Sequence, residues 1–180
     1  VLPFFWMVSN SLMTLGETIN RRWLPAVPQI QNYLEAWEEA NFAKYFWNSV
    51  VITFTTCTGL LISSILAGYA FGRIRFVGRD VIFAILLSTL MIPESVTVIP
   101  SLLIIRGSVI PLPGGSWLNT LQALTVPFMA NAFSIFLLRQ FFAGIPNELW
   151  DAARIDGAGH LRFLGQIVLP ISKAPIMTVL

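Results

Sequence analysis

Apolar positions in this chain fall in long unbroken runs separated by short polar stretches. Three runs, residues 46–71, 81–105 and 118–142, are long enough to cross a hydrocarbon core of about 30 Å, which takes about 20 residues of helix. None alternates polar with apolar residues as a lipid-facing barrel strand does, so each predicts a transmembrane helix. The opening VLPFFWMV (1–8) reads as the end of another such helix, and residues 173–180 as the start of one more. Both chain ends are therefore read as truncations of longer hydrophobic segments, which leaves the missing leader uninformative. The expected fold class is an all-α integral membrane protein, a polytopic transmembrane helix bundle forming one domain over 1–180.

Composition narrows the function classes. Hydrophobic residues make up 56% of the chain and charged residues 11%, less than half the charged content of an ordinary soluble domain, roughly 25%. A net charge of +2, with basic residues scattered between apolar spans, excludes a nucleic-acid partner. The lone Cys57 rules out an internal disulfide and a cysteine metal cluster. Catalysis is not expected either: the single histidine, His160, has no second histidine or cysteine near it in sequence, and no nucleophile or metal constellation accompanies it.

Lys and Arg in the short loops set the orientation. Arg73, Arg75, Arg79, Arg139, Arg154, Arg162 and Lys173 fall on one side, and Arg21, Arg22, Lys44 and Arg106 on the other, which places the opening segment in the cytoplasm. The stretch 9–45 is then external, with NYLEAWEEANFAKYF, Trp37 and Trp47 lying along the membrane interface.

Within the spans, Ser64, Gly68 and Gly72 recur every four residues, a row of small side chains that lets another helix approach closely. The threonines at 53, 55, 56 and 58 are expected to return their hydroxyls to the helix's own carbonyls. In TLMIPESVTVIPSLL two prolines, seven apart, predict a bend. If that segment stays helical, Glu94, Thr97 and Ser101 form one polar stripe. A carboxylate at membrane depth costs about 3 kcal/mol on insertion scales, so Glu94 either lines a substrate pathway, or caps a broken helix or pairs with a neighbouring subunit. From the third span Asn131, rather than Gln122, is expected to join that pathway.

Residues 146–170 are more polar than the surrounding spans. Asn147 is a candidate helix cap, Glu148 and Asp151 suit the first turn, and Gly157 suits the close of the helix. Leu149, Ala152, Ala153 and Asp156 are expected to share a low-relief edge suited to a partner's groove. A second short helix from about His160 then leads through IVLP into the next span, with Pro170 and Pro175 setting the bend.

Asp151-Ala152-Ala153, Gly157 and Ile167-Val168-Leu169-Pro170 together resemble the Glu-Ala-Ala signature loop of inner-membrane permease subunits of ABC importers, with Asp in place of Glu. NYLEAW, YFWNSVVIT, AGYAFGRIRFVGRD and LMIPESVTVIP are similar to the carbohydrate branch, the maltose-transport type. The resemblance implies a type I importer permease in the cytoplasmic (inner) membrane of a prokaryote. Its partners would be membrane lipid, a second permease subunit, two cytoplasmic ATPase subunits and an extracytoplasmic solute-binding protein. Asp151, Ala152, Ala153 and Gly157 would make or shape the ATPase contact, while Ile167, Leu169 and Pro170 would hold the loop to the helix core. ATP and Mg would sit on the partner ATPase, because no Walker-type G-x-x-x-x-G-K-[ST] run occurs in this chain. A disaccharide, oligosaccharide, polyol or glycerol phosphate fits as cargo, and the lack of Lys or Arg deep in any span favours a neutral sugar. An ion-coupled secondary transporter or channel subunit is the alternative, since Glu94 on a broken helix suits such carriers.

Overall fold

The computed structural model describes residues 2–20 and 22–180; Arg21, one of the external basic residues, and Val1 of the opening run lie outside them. All regular structure among the described residues is helical. The chain divides into two compact units, Val1–Val51 and Ile52–Leu180.

The first unit carries α1 (Leu2–Ser11), α2 (Leu15–Ile19) and α3 (Gln31–Glu39). Thr14 and Glu17 form a reciprocal capping box at the start of α2, and the amide of Ala26 donates to Glu17 Oε1 at 2.9 Å. Asn32 Nδ2 donates to the carbonyls of Ser11 and Met13. Asn41, at a φ of 50°, turns the chain out of α3, and Trp37 packs on Phe42 with ring centroids 5.1 Å apart.

Helix α4 (Phe42–Arg73) runs 32 residues, about 48 Å at 1.5 Å per residue, so it extends past the expected span 46–71 at both ends.

The stretch 81–105, expected as a single span with a bend, is two helices at 106° to one another. Helix α5 (Arg79–Ser88) continues through a 3₁₀ turn at Thr89–Met91, and α6 (Glu94–Ile105) begins afresh. Pro93 is the cause. Proline bars the preceding residue from helical geometry, Ile92 accordingly sits at ψ 116°, and Pro93 is itself extended. Pro100 lies inside α6 without ending it, so the bend belongs to Pro93 alone and not to the pair.

The run 118–142 resolves into α7 (Leu121–Thr125), a 3₁₀ turn at Val126–Phe128 and α8 (Ala132–Ala143); 121–143 is long and apolar enough to cross a membrane, as is α4. Ser63 Oγ donates to the carbonyl of Met129, a Cβ on Gly68 would lie 3.0 Å from Leu138 Cβ, and one on Gly72 would lie 3.2 Å from the Arg139 carbonyl. Increasing residue numbers on α4 therefore meet increasing numbers on α8: the two helices run parallel, with the row Ser64, Gly68 and Gly72 at their contact. Parallel neighbours require the intervening chain, residues 74–131, to return to the level at which α8 starts.

Helix α8 is the centre of the second unit. It buries Ser134, Ile135, Leu138 and Phe142 and stacks Phe136 on Phe83 of α5. Arg139 lies over the Phe83 ring at 4.8 Å, a cation–π contact. Thr56 Oγ1 and Ser64 Oγ are buried without hydrogen-bond partners, and among the described residues the expected return of the hydroxyl to the helix's own carbonyl occurs at none of Thr53, Thr55, Thr56 and Thr58. Helix α6 buries nothing within this chain. Every residue from Glu94 to Ile104 is exposed among the described residues.

Candidate functional site

The polar segment after α8 is held by one hydrophobic cluster. Helix α9 (Asn147–Ile155) starts from Pro146, whose ψ of 140° lies outside helical geometry. Asn147 is therefore the first helical residue and not the cap. Glu148 occupies the first turn, where the positive end of the helix dipole favours an acid. Asp151 comes a turn later.

The helix closes on Gly157. Its amide donates to the Arg154 carbonyl at 3.0 Å and that of Ala158 to the Ala153 carbonyl at 2.8 Å, the paired bonds of a Schellman motif. Gly157 takes a φ of 74°, a left-handed conformation that glycine adopts without steric cost. A Cβ there would meet nothing within 4 Å, so within this chain the glycine is required by backbone geometry and not by crowding.

Ala153 is buried, and its neighbours in the cluster are Phe142, Ile145, Phe163, Leu164 and Val168. The expected docking edge that included Ala153 is thereby corrected: Ala152, three residues on from Leu149, is exposed, while Ala153, four on, turns inward and is the helix's root. The outward face consists of Leu149 at 40% exposure, the exposed Ala152 and Ile155 at 87%.

Trp150 completes the root. Its ring meets Phe163 edge-on at 5.0 Å and stacks on His160 at 4.3 Å. His160 Nδ1 shares a hydrogen bond of 2.9 Å with the hydroxyl of Tyr69 on α4, and Arg73 donates to the Ile145 carbonyl at 2.7 Å. Tyr69, Trp150 and His160 were not foreseen as a group. Tyr69 and His160 are 91 residues apart, and nothing in the spacing pairs them.

Beyond α10 (His160–Phe163) the chain makes a π turn at Leu164–Val168 before α11 (Leu169–Ile171) and α12 (Lys173–Val179). Pro170 has no N–H to give, and the wider turn just before it is one accommodation of that loss. Ile167 and Leu169 pack against the cluster as partly buried residues. Pro170 is exposed, so Phe163, Leu164 and Val168 hold the loop where Pro170 was expected to. The change of direction into α12 falls at Ser172, not at Pro175.

The expected pathway residues lie apart from this loop. Glu94 opens α6, where it suits the helix dipole, and its carboxylate makes no ion pair or hydrogen bond among the described residues. Thr97 donates its hydroxyl to the Glu94 carbonyl at 2.8 Å, and Glu94, Thr97 and Ser101 are all exposed on this unbroken helix. Asn131 caps α8, its Oδ1 accepting from the Ser134 amide at 3.1 Å.

A cavity of about 820 Å³ opens beside α9, lined among others by Tyr69, Arg73, Arg75, Arg79, Asp151 and Arg154. Asp151 lines this cavity with the arginines and forms no ion pair with them among the described residues.

Parallel apolar helices long enough to cross a membrane, with a polar loop packed at one end of them, define a multi-pass membrane protein. The chain belongs to the family of binding-protein-dependent transport system inner membrane components, which matches residues 59–180. It is 30% identical over 176 residues to a diacetylchitobiose uptake system permease protein of Streptomyces coelicolor, covering 96% of this chain and 56% of that protein. With an sn-glycerol-3-phosphate transport system permease protein of Yersinia enterocolitica it shares 40% identity over 134 residues, 74% of this chain and 45% of that one. Among solved structures, it matches a bacterial ABC transporter involved in the import of the acidic polysaccharide alginate, with a TM-score of 0.75 and 25% identity over 99% of this chain and 61% of the other. The chain spans about half the length of the curated relatives it matches.

Proposed function

We propose that the chain is the membrane-spanning permease subunit of an ATP-driven importer that carries a sugar or related carbohydrate across the inner membrane. The observation that carries this reading is the rooting of α9: an exposed face of Leu149, Ala152 and Ile155, closed by Gly157, stands on a cluster shared with Tyr69 of α4 and with Leu138 and Phe142 of α8. A cytoplasmic ATPase that grips this face moves two membrane helices with it, because buried packing transmits displacement where a loose loop would absorb it.

Two ATPase subunits, carrying ATP and Mg, close on α9 and on its counterpart in a second permease subunit, and an extracytoplasmic binding protein delivers cargo. This chain hydrolyses nothing and binds no cofactor itself; its part is mechanical. Helix α6, uncovered in its own chain, supplies the surface toward the second permease, with Glu94, Thr97 and Ser101 toward the path. Asn131 is a helix cap first, and its share in the path is a secondary role. The similarity to uptake proteins for an acetylated amino-sugar disaccharide, a sugar-alcohol phosphate and an acidic polysaccharide supports a carbohydrate cargo. It does not favour the neutral sugar over the acidic ones. Family membership favours this reading over the ion-coupled carrier.

Proteoliposomes carrying the chain with its genomic neighbours, binding protein and internal ATP test the reading. Uptake of an oligosaccharide that requires internal ATP supports it; uptake driven by an ion gradient with no ATPase present would overturn it.

A further inference from the structure

The cavity beside α9 contains more positive charge than its neighbours neutralise. Arg73, Arg75, Arg79 and Arg154 line it against one carboxylate, Asp151. Arg79 pairs with Asp80 at 3.0 Å, and Arg73 gives one nitrogen to the Ile145 carbonyl. Arg75 and Arg154 make no ion pair or hydrogen bond among the described residues. Four arginines lining one space against Asp151, with Asp80 on Arg79, leave a net positive charge there, and their forked donors match phosphate oxygens. At about 820 Å³ the space is the size of a small-molecule site.

The surroundings say where that phosphate comes from. The cavity sits at the last turn of α4, where a membrane helix leaves hydrocarbon, and the connection that follows exposes Phe76 and the fully uncovered Val77 (101%) between its arginines. Apolar side chains interleaved with arginines at a helix end are the pattern of an interface that meets anionic lipid. On the face of α4 that leads to Tyr69 and Arg73, Ile62 and Leu66 are exposed, an apolar track of the kind an acyl chain covers. A free anion needs neither feature, and an acidic peptide would leave that track uncovered.

We propose that this cavity binds the phosphate headgroup of an anionic phospholipid, tying the end of α4 to the coupling helix α9. The site rests on the orientation given by the importer reading, and it adds a dependence on lipid charge: removing the lipid leaves the arginines repelling and loosens α9 from α4.

The test is lipid binding to the complete, delipidated transporter complex, read by native mass spectrometry with phosphatidylglycerol, phosphatidylcholine and inorganic phosphate as probes. Wild type is expected to hold phosphatidylglycerol in preference to phosphatidylcholine. The double variant Arg75→Gln, Arg154→Gln should bind it about thirtyfold more weakly, from the usual contribution of two basic residues at an anionic surface. Arg75→Lys with Arg154→Lys keeps the charge and should retain binding, which separates loss of the site from loss of the fold. Equal retention of phosphatidylglycerol by wild type and the Gln variant would overturn the proposal. So would displacement by inorganic phosphate at matched concentration. ATP-driven uptake on the same preparations keeps the two readings apart: lipid bound without uptake sinks the importer and spares the site.

Discussion

Helix α9 rests on Phe163. This residue is 1% exposed, meets Trp150 edge-on at 5.0 Å, lies under Arg73 at 5.9 Å, and shares its cluster with Ala153, Phe142 and Tyr69. Truncating a buried phenylalanine to alanine costs about 3–5 kcal/mol, of which about 1 kcal/mol is the aromatic edge contact. If the loss falls on the attachment of α9, then 3 kcal/mol, at about 1.4 kcal/mol per factor of ten, raises the population of the detached helix somewhat over a hundredfold. The amides of Gly157 and Ala158, which close the Schellman motif, report that opening directly. Hydrogen exchange of Phe163→Ala in detergent or nanodiscs should quicken at these two positions by about a hundredfold. Phe163→Leu, which keeps most of the volume and loses the edge contact, should quicken it less than tenfold. Unchanged exchange in Phe163→Ala would refute the claim that α9 is rooted through this ring.

Gly157→Val forces a branched side chain into the left-handed region at about 1–3 kcal/mol and should uncouple ATP hydrolysis from uptake, whereas Gly157→Asn, which tolerates that region, should remain active; equal uptake by the two would sink the backbone explanation. Gly68→Val has 3.0 Å to Leu138 Cβ and 3.2 Å to the Arg139 amide, so overpacking of about 1–3 kcal/mol should lower Tm by several degrees, and an unchanged melting curve would mean α4 and α8 are not in close contact. Glu94→Gln should alter uptake rate or cargo range if α6 faces the path, and identical kinetics would leave it a helix-end acid. The Glu17 carboxyl is held below its ordinary 4.5, first by the Ala26 amide and then by that of Thr14. A depressed folded value means the stabilisation is complete above pH 4.5 and is lost as pH falls through that lower value, so protection of the Ala26 amide should drop in acid in wild type and show no such step in Glu17→Gln.

Long apolar runs made the membrane helices legible from sequence, and the small-residue row on α4 identified the face that α8 occupies. Proline spacing foretold a bend but not its place: two prolines look alike in sequence, while only Pro93 combines an extended residue before it with a fresh helix start after it. The loop was legible in its glycine and its polarity. Its facing was not, because Ala152 and Ala153 are chemically identical and only the neighbours brought in from α8 and α10 decide which one is buried. The Tyr69–His160–Trp150 contact and the arginine cavity escaped for the same reason, since both are assembled from segments about 70 to 90 residues apart.

The central claim, that α9 docks on an ATPase, is tested most directly by disulfide crosslinking in a Cys57→Ser background. With Ala152→Cys on the exposed face of α9 and a cysteine in the groove of the ATPase encoded alongside, the account predicts a crosslink whose yield changes with ATP, and none from Ala153→Cys, which is buried. No crosslink from either position in an assembled complex would contradict it and reduce the loop to a connection between membrane helices.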